Sequence, residues 1–250
     1  MIFKIIFLLL LPSISITAFS QTSDLDLGDA LYEKREQLEN VYKAQGHFGK
    51  HLDANPNDVQ GLWRASMVNY YIGHLLENED KRIEHYKLGV GQGEACVTHS
   101  AKKLGQCYFW LATNTALLKK EKGSINLAFG ISSIIDLFNK ALELDPLYAG
   151  AGPYRMLALL YFKAPFFLGG DEGKAYEFIK EAIRLKPNEP LNHYFYVSFL
   201  VKNKKLPEAK EAAKSFLDKV NPSSFEFFES INAHKKILTF FETGDLPKND

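Results

Sequence analysis

Apolar residues recur at intervals of three and four along most of the chain. Ile131, Ile134, Ile135, Phe138, Ala141 and Leu142 form one stripe; Ala175, Phe178, Ile179, Ala182, Ile183 and Leu185 form a second. Side chains three and four apart share a helix face, so each run predicts an amphipathic helix with one side turned to a core. From Asp29 onward the pattern stays helical. No set of short alternating segments joined by Asn-Gly or Asp-Gly turns predicts a sheet. The chain therefore reads as all-α. A last stretch, Glu229 to Glu242, keeps Ile231, Ile237, Leu238, Phe240 and Phe241 among polar residues and predicts a C-terminal capping helix. Gly244 and Pro247 mark its end, and residues 247–250 are expected to fray.

The helix endings repeat. Leu142-Glu143-Leu144-Asp145-Pro146 resembles Ile183-Arg184-Leu185-Lys186-Pro187; His51-Leu52-Asp53-Ala54-Asn55-Pro56 is a third copy and Val220-Asn221-Pro222 a degenerate fourth. Proline lacks the N–H and restricts the residue before it, so each copy predicts a helix stop. Trp63, Tyr154 and Tyr194 follow the first three prolines, expected to anchor the next helix against the stopped one. Ala175, Ala182 and Pro187 keep the mutual spacing of the tetratricopeptide repeat. The prolines are 90, 41 and 35 residues apart, so the first interval has room for two units. Gly123 to Gly130 and Ala164 to Gly173 read as insertions. The expected architecture is a short solenoid of tetratricopeptide-like helical hairpins, clearest over residues 131–222, forming a single domain from residue 21 to 250.

Thirty Lys and Arg balance thirty Asp and Glu, and 46% of the residues are hydrophobic. This composition excludes disorder, and the absence of a basic excess or long Lys/Arg run argues against nucleic acid as a partner. Residues 1–20 read as a cleavable secretory signal: Lys4, an apolar run to Leu11, Pro12, then Ala18-Phe19-Ser20 before a cut ahead of Gln21. An anchor is the alternative, but the run is short of the roughly twenty residues a span needs. No later segment reads as long and apolar enough to cross a membrane. The expected product is exported and soluble, with one more acidic than basic residue after Lys4 is removed. In an oxidising compartment Cys96 and Cys107 either form a disulfide or remain two buried thiols. On one unbroken helix they would lie about 16 Å apart, so a bond requires a reversal, which His99 to Gly105 would supply.

Little in the sequence points to catalysis or to a cofactor. His47 and His51, with Asp53, have spacing for a metal on a helix face, but Gly46 and Gly49 favour a solvated turn, and no third ligand motif appears. Gly89-x-Gly91-x-Gly93 lacks the strand before it and the Lys-plus-hydroxyl pair after it that a phosphate loop needs, so tight packing or a helix interruption is expected. Gly169-Gly170-Asp171 reads as a turn and an Asp N-cap for a helix starting near Glu172. No Gly-x-Ser-x-Gly elbow is present, and the carboxylates fall beside lysines, as in Glu177 with Lys180 and Glu208 with Lys210. The chain reads as non-enzymatic, with no catalytic residue, metal or cofactor assigned.

Aromatic residues are the remaining signal: 19 Phe, 12 Tyr and 2 Trp. Phe166-Phe167, Tyr194-Phe195-Tyr196 and Phe225, Phe227, Phe228 are dense. Adjacent helical residues point about 100° apart, so not all of these face one core. The rest line a groove, an inner cavity or an intersubunit contact, the last implying a homo-oligomer. An apolar pocket takes a few polar groups, for which Asn114 and Arg155 are the candidates; alternatively, Arg155 only pairs with a carboxylate. With Trp63, Trp110 and Tyr154 they make up the candidate binding residues.

Several segments together resemble the periplasmic T-component proteins associated with TRAP transporters. They are Tyr108-Phe109-Trp110-Leu111-Ala112-Thr113-Asn114, Gly123, Leu144-Asp145-Pro146, Gly152-Pro153-Tyr154-Arg155, Pro165, Gly169-Gly170-Asp171, Lys174-Ala175 and Leu185-Lys186-Pro187, within roughly residues 53–217. The resemblance implies an all-helical periplasmic protein that partners a solute-binding receptor and shelters a small hydrophobic ligand. Many such proteins look like lipoproteins, and this chain departs by lacking the lipid-accepting cysteine. The alternative is a general tetratricopeptide scaffold for envelope protein–protein interactions, with no transport role.

Overall fold

The computed structural model describes residues 23–225 and 227–247. The signal expected at residues 1–20 and the tail from residue 248 lie outside them. The described residues form helices and two short 3-10 turns, with no strand. Helices α1 (Asp24–Tyr32) and α2 (Leu38–Ala54) form the first antiparallel hairpin, and α3 (Val59–Leu75) and α4 (Glu79–His99) the second. The third is α5 (Gly105–Glu121) with α6 (Ser124–Leu144), the fourth α7 (Tyr148–Lys163) with α8 (Glu172–Leu185), and the fifth α9 (Pro190–Lys202) with α10 (Leu206–Leu217). Helix α11 (Phe228–Thr243) caps the stack.

The repeated endings take one backbone shape. Asn55, Asp145 and Lys186, each directly before its proline, have φ/ψ of −136/69°, −150/82° and −132/72°. In each, the N–H still donates to the carbonyl four residues back, on His51, Ala141 and Ala182. The proline ring excludes the helical conformation one residue earlier, and the helix stops there. The 90-residue interval does hold two hairpins. Helix α4 ends without a proline, and there Cys96 and Cys107 are joined across the loop, with Cα atoms 5.4 Å apart. Asp171 caps α8 by accepting from the Lys174 N–H.

Burial, more than helix propensity, holds these helices in place. Val41, Phe48, Val68, Ile72, Ile134, Phe138 and Leu157 form a core running through α2 to α7. Val197, Leu200, Phe216, Ile237 and Phe240 form another from α9 to α11, and Ala158, Ala175, Ile179, Ala182 and Phe199 bridge the two. Each large apolar side chain contributes about 1.5–3 kcal/mol. The small residues set the distances between helices. A Cβ on Gly89 would fall 2.4 Å from Asn114, so α4 and α5 touch backbone to side chain without interrupting α4.

Several expectations are corrected. Residues 124–130 are the opening turns of α6, which Gly123 starts at a φ of 106°, and not an insertion. Gly46 and Gly49 lie inside α2, not in a turn, because the tertiary contacts of Val41, Ala44 and Phe48 outweigh glycine's weak propensity. Ile125–Leu144 is long and apolar enough to cross a membrane, contrary to the reading of the sequence. Its Ile131, Ile134, Phe138 and Ala141 are buried against neighbouring helices, while Ile125 and Phe129 are exposed. Tyr154 meets Phe178 of its own hairpin at 6.0 Å, and the Pro247 carbonyl is held by the Tyr194 hydroxyl.

Candidate functional site

On α3, Trp63, Met67, Tyr70 and His74 stand four, three and four residues apart, so they fall in one stripe along the helix. Met67 is buried, Trp63 and Tyr70 are partly open, and His74 is exposed. Tyr70 stacks on His74 at 5.9 Å and meets Trp110 of α5 at 5.3 Å. The Trp110 Nε1–H donates to the Tyr148 hydroxyl at 2.6 Å, and Tyr148 lies edge-on to Trp63 at 6.5 Å. Trp63 donates its own indole N–H to Gln60 and carries the Arg64 guanidinium 4.2 Å above its ring. Asp29 of α1 fixes that guanidinium through both its carboxylate oxygens. The result is a wall of rings from three hairpins, in which both indole N–H groups already have an acceptor.

The stack bends until its ends meet, and the stripe lies inside the bend. Arg35, in the loop between α1 and α2, donates Nε and Nη2 to the two carboxylate oxygens of Glu229 on α11, at 2.8 and 2.5 Å. The rings of Tyr32, Tyr71 and Phe227 surround the guanidinium at 4.8, 5.9 and 5.2 Å. Burial, followed by the Glu229 charge, pushes the Tyr70 hydroxyl up to about 12, while Arg155 of α7 and Arg35 pull the other way. Tyr70 thus lies within electrostatic reach of Arg35, Arg155 and Glu229. Burial also raises the pKa of Tyr32 and Tyr148, so these phenols stay protonated at neutral pH.

The five candidate residues separate into four environments. Trp63 and Trp110 come together through Tyr148. Asn114 is fully buried on α5, where its Nδ2 donates to the Ser66 carbonyl, the Ser66 hydroxyl and the Trp110 carbonyl; its Oδ1 finds no partner. Asn114 therefore clamps α5 to α3 and does not line an open pocket. Among the described residues, Arg155 pairs with no carboxylate. It donates to the carbonyls of Ala149 and Gly150 and to Asn192 Oδ1. It thereby grips a left-handed turn, Ala149 to Ala151, with φ of 49, 67 and 63°. Burial lowers its pKa, and Glu189 offsets part of that. Tyr154 lies beside Phe178, away from the stripe.

His47 and His51 turn to different carboxylates, Asp24 at 2.9 Å and Asp58 at 2.8 Å, so α2 does not direct them at one ion. Shallow depressions occur elsewhere, along α4 from Asp80 to Leu88 and at residues 186–189, neither lined by an aromatic. Tyr70, Tyr148, Arg35 and Glu229 were not among the sequence candidates. The spacing from Trp63 to His74 was a signal for the first. Nothing local marks the other three, which are defined by contacts between distant hairpins.

The family model of the TRAP transporter T-component matches residues 64–221. Among solved structures, the chain resembles the thermophilic TPR protein TTC0263 of Thermus thermophilus. The TM-score is 0.63 at 18% identity, covering 86% of this chain and 97% of that one. MamA gives a TM-score of 0.49 at 20% identity, over 78% of this chain and 94% of that one. No curated protein matches significantly. The first of these structures shares the tetratricopeptide-like fold; the likeness extends to the fold alone.

Proposed function

The chain belongs to the TRAP transporter T-component family, and from that premise we propose that it is an exported, non-catalytic binding protein of a transport system. Its partner is a periplasmic solute-binding receptor, and the inside of its bend holds a segment of that receptor or a small hydrophobic molecule. The observation that carries this reading is the partly open ring stripe of Trp63, Tyr70 and His74, backed by Trp110 and Tyr148. Rigid aromatics give a large contact area at little entropic cost, and protonated phenols offer directed hydrogen bonds without reactivity. The bend adds concavity, as stacked hairpins generally do.

The test is a titration with a periplasmic solute-binding receptor of a TRAP system from the same organism, followed by calorimetry and by the fluorescence of the two tryptophans. Saturable binding that weakens tenfold or more in a Trp63→Ala/Tyr70→Ala double variant is the expected result. Normal binding by a variant that remains folded would remove the stripe from the function. If the receptor does not bind but other envelope proteins do, the chain is a general tetratricopeptide scaffold without a transport role. Native mass spectrometry of the exported chain reads the small-molecule arm, as extra mass lost on denaturation.

A further inference from the structure

In a row of antiparallel hairpins, the ends of the first helices and the starts of the second share one edge. The four most exposed large apolar side chains of the described residues all lie on that edge, in two adjacent hairpins. They are Ile125 and Phe129 in the opening turns of α6, 71% and 87% exposed, and Phe166 and Phe167 in the loop before α8, 91% and 82% exposed. The phenylalanine loop is tied down, not loose. The Gly170 N–H donates to the Pro165 carbonyl and the Asp171 N–H to the Tyr161 carbonyl, and a Cβ on Gly170 would fall 1.9 Å from the Ala164 oxygen.

Lysines flank these side chains in three successive hairpins: Lys120 and Lys122, Lys163 and Lys174, Lys202 and Lys204, all exposed. None forms an ion pair among the described residues, although ten such pairs occur elsewhere. Partial desolvation and then repulsion from Lys202 and Lys120 lower the Lys163 pKa, which places the lysines of the three hairpins within each other's field. Nearby carboxylates are engaged: Glu121 by Arg82, Asp171 as a helix cap and Glu172 by Asn203, leaving Glu208.

We propose that this edge docks on the surface of an anionic lipid bilayer, with Phe129, Phe166 and Phe167 entering the interface and the lysines facing lipid phosphates. The charge pattern selects this occupant. Ammonium groups free of ion pairs around protruding rings, one of them, Lys174, over the Tyr161 ring at 5.4 Å, match a surface that is apolar below and anionic above, and long lysine stems reach from one layer to the other. A protein surface offering both chemistries in the same order would need a dedicated partner. The proposal is independent of what the inside of the bend binds.

The test is co-sedimentation of the full chain with vesicles of phosphatidylcholine alone and with one third phosphatidylglycerol. Expected is binding to the anionic vesicles that weakens with salt. A Phe129→Ser/Phe166→Ser/Phe167→Ser variant should bind at least tenfold more weakly, and each lysine changed to Gln should cost roughly fivefold. Both chains keep the same N-terminus, so its contribution is common to them. A second readout places an environment-sensitive dye on a Phe167→Cys variant, whose emission should shift to the blue on anionic vesicles only. Equal vesicle binding by wild type and triple variant with an unshifted dye would overturn the proposal. So would an oligomer that the triple variant converts to monomers while vesicle binding is unchanged, since the edge would then be a contact between copies.

Discussion

Gly89 and Gly91 lie two residues apart on α4, yet a side chain at each would meet different surroundings. A Cβ at Gly89 would strike the Asn114 amide at 2.4 Å, whereas nothing lies within 4 Å of one at Gly91. Alanine is the better helix former by about 1 kcal/mol. Gly91→Ala should therefore raise stability by roughly 0.5–1 kcal/mol. Gly89→Ala should lower it by about 1–3 kcal/mol, because overpacking outweighs propensity and displaces Asn114 from Ser66. Urea unfolding of the two variants checks this, and equal effects would mean that α4 and α5 are not in this contact. The alternating glycines were legible in the sequence as a packing feature or a helix interruption, but their unequal roles were not. The partner of Gly89 is 25 residues away, on a helix whose rotation about its axis is set by Trp110 and Phe109. Arg155 gives the same lesson. Its place beside an aromatic suggested a pocket, and it instead holds three consecutive left-handed residues, two of them alanines that resist that conformation.

Among the helical elements, α4 and α5 depend most on a covalent link. Their loop has no proline stop, and the Cys96–Cys107 bond closes the turn. In the chain-entropy model a link across this spacing contributes about 3 kcal/mol. Reduction, or a Cys96→Ala/Cys107→Ala variant, should lower the melting temperature by roughly 6–12 °C; calorimetry with and without reductant reads the change. A thermal midpoint unmoved by reductant would mean the thiols are not joined in solution. The element boundaries were legible where local chemistry sets them, at Pro56, Pro146, Pro187 and the Asp171 cap. They were missed at α6, where Gly123 and Gly130 suggested a break that the tertiary packing of Ile131 and Ile134 overrides.

The whole molecule is a bent stack whose first and last elements meet through one bidentate ion pair. Arg35 is 8% exposed and encased by three rings, so removing its charge leaves Glu229 with the Tyr71 hydroxyl but no cation. Arg35→Ala should cost about 3 kcal/mol and open the bend. Small-angle X-ray scattering should show a larger radius of gyration while the helical content holds; an unchanged radius would show that packing alone sets the curvature. Proton linkage also acts at this scale. Burial lowers the pKa of His85, His193 and His234 from the ordinary 6.5. Below that value the unfolded chain takes up protons that the folded chain still refuses. The stability present above pH 6.5 is therefore lost as pH falls through the lowered folded values. The urea midpoint should be lower at pH 5.0 than at pH 7.5, and the reverse order would contradict the burial of these rings.

The sequence by itself determined the helices, the hairpin repeat and the family, because periodicity, proline stops and caps act within a few residues of one another. Asn55, Asp145 and Lys186 share a backbone shape for a reason written in the next residue of the chain. Which side chains form the inner wall was decided only by tertiary structure. Trp63 and Trp110 were visible as candidates, but what joins them is Tyr148, and what brings charges to bear on Tyr70 is the pairing of Arg35 with Glu229, 194 residues away. Small changes in the angle between hairpins add up along a stack, and no local pattern encodes their sum. The exposed edge depends on the same geometry. Phe129, Phe166 and the lysines read as separate features of the chain, and antiparallel stacking brings them onto one surface.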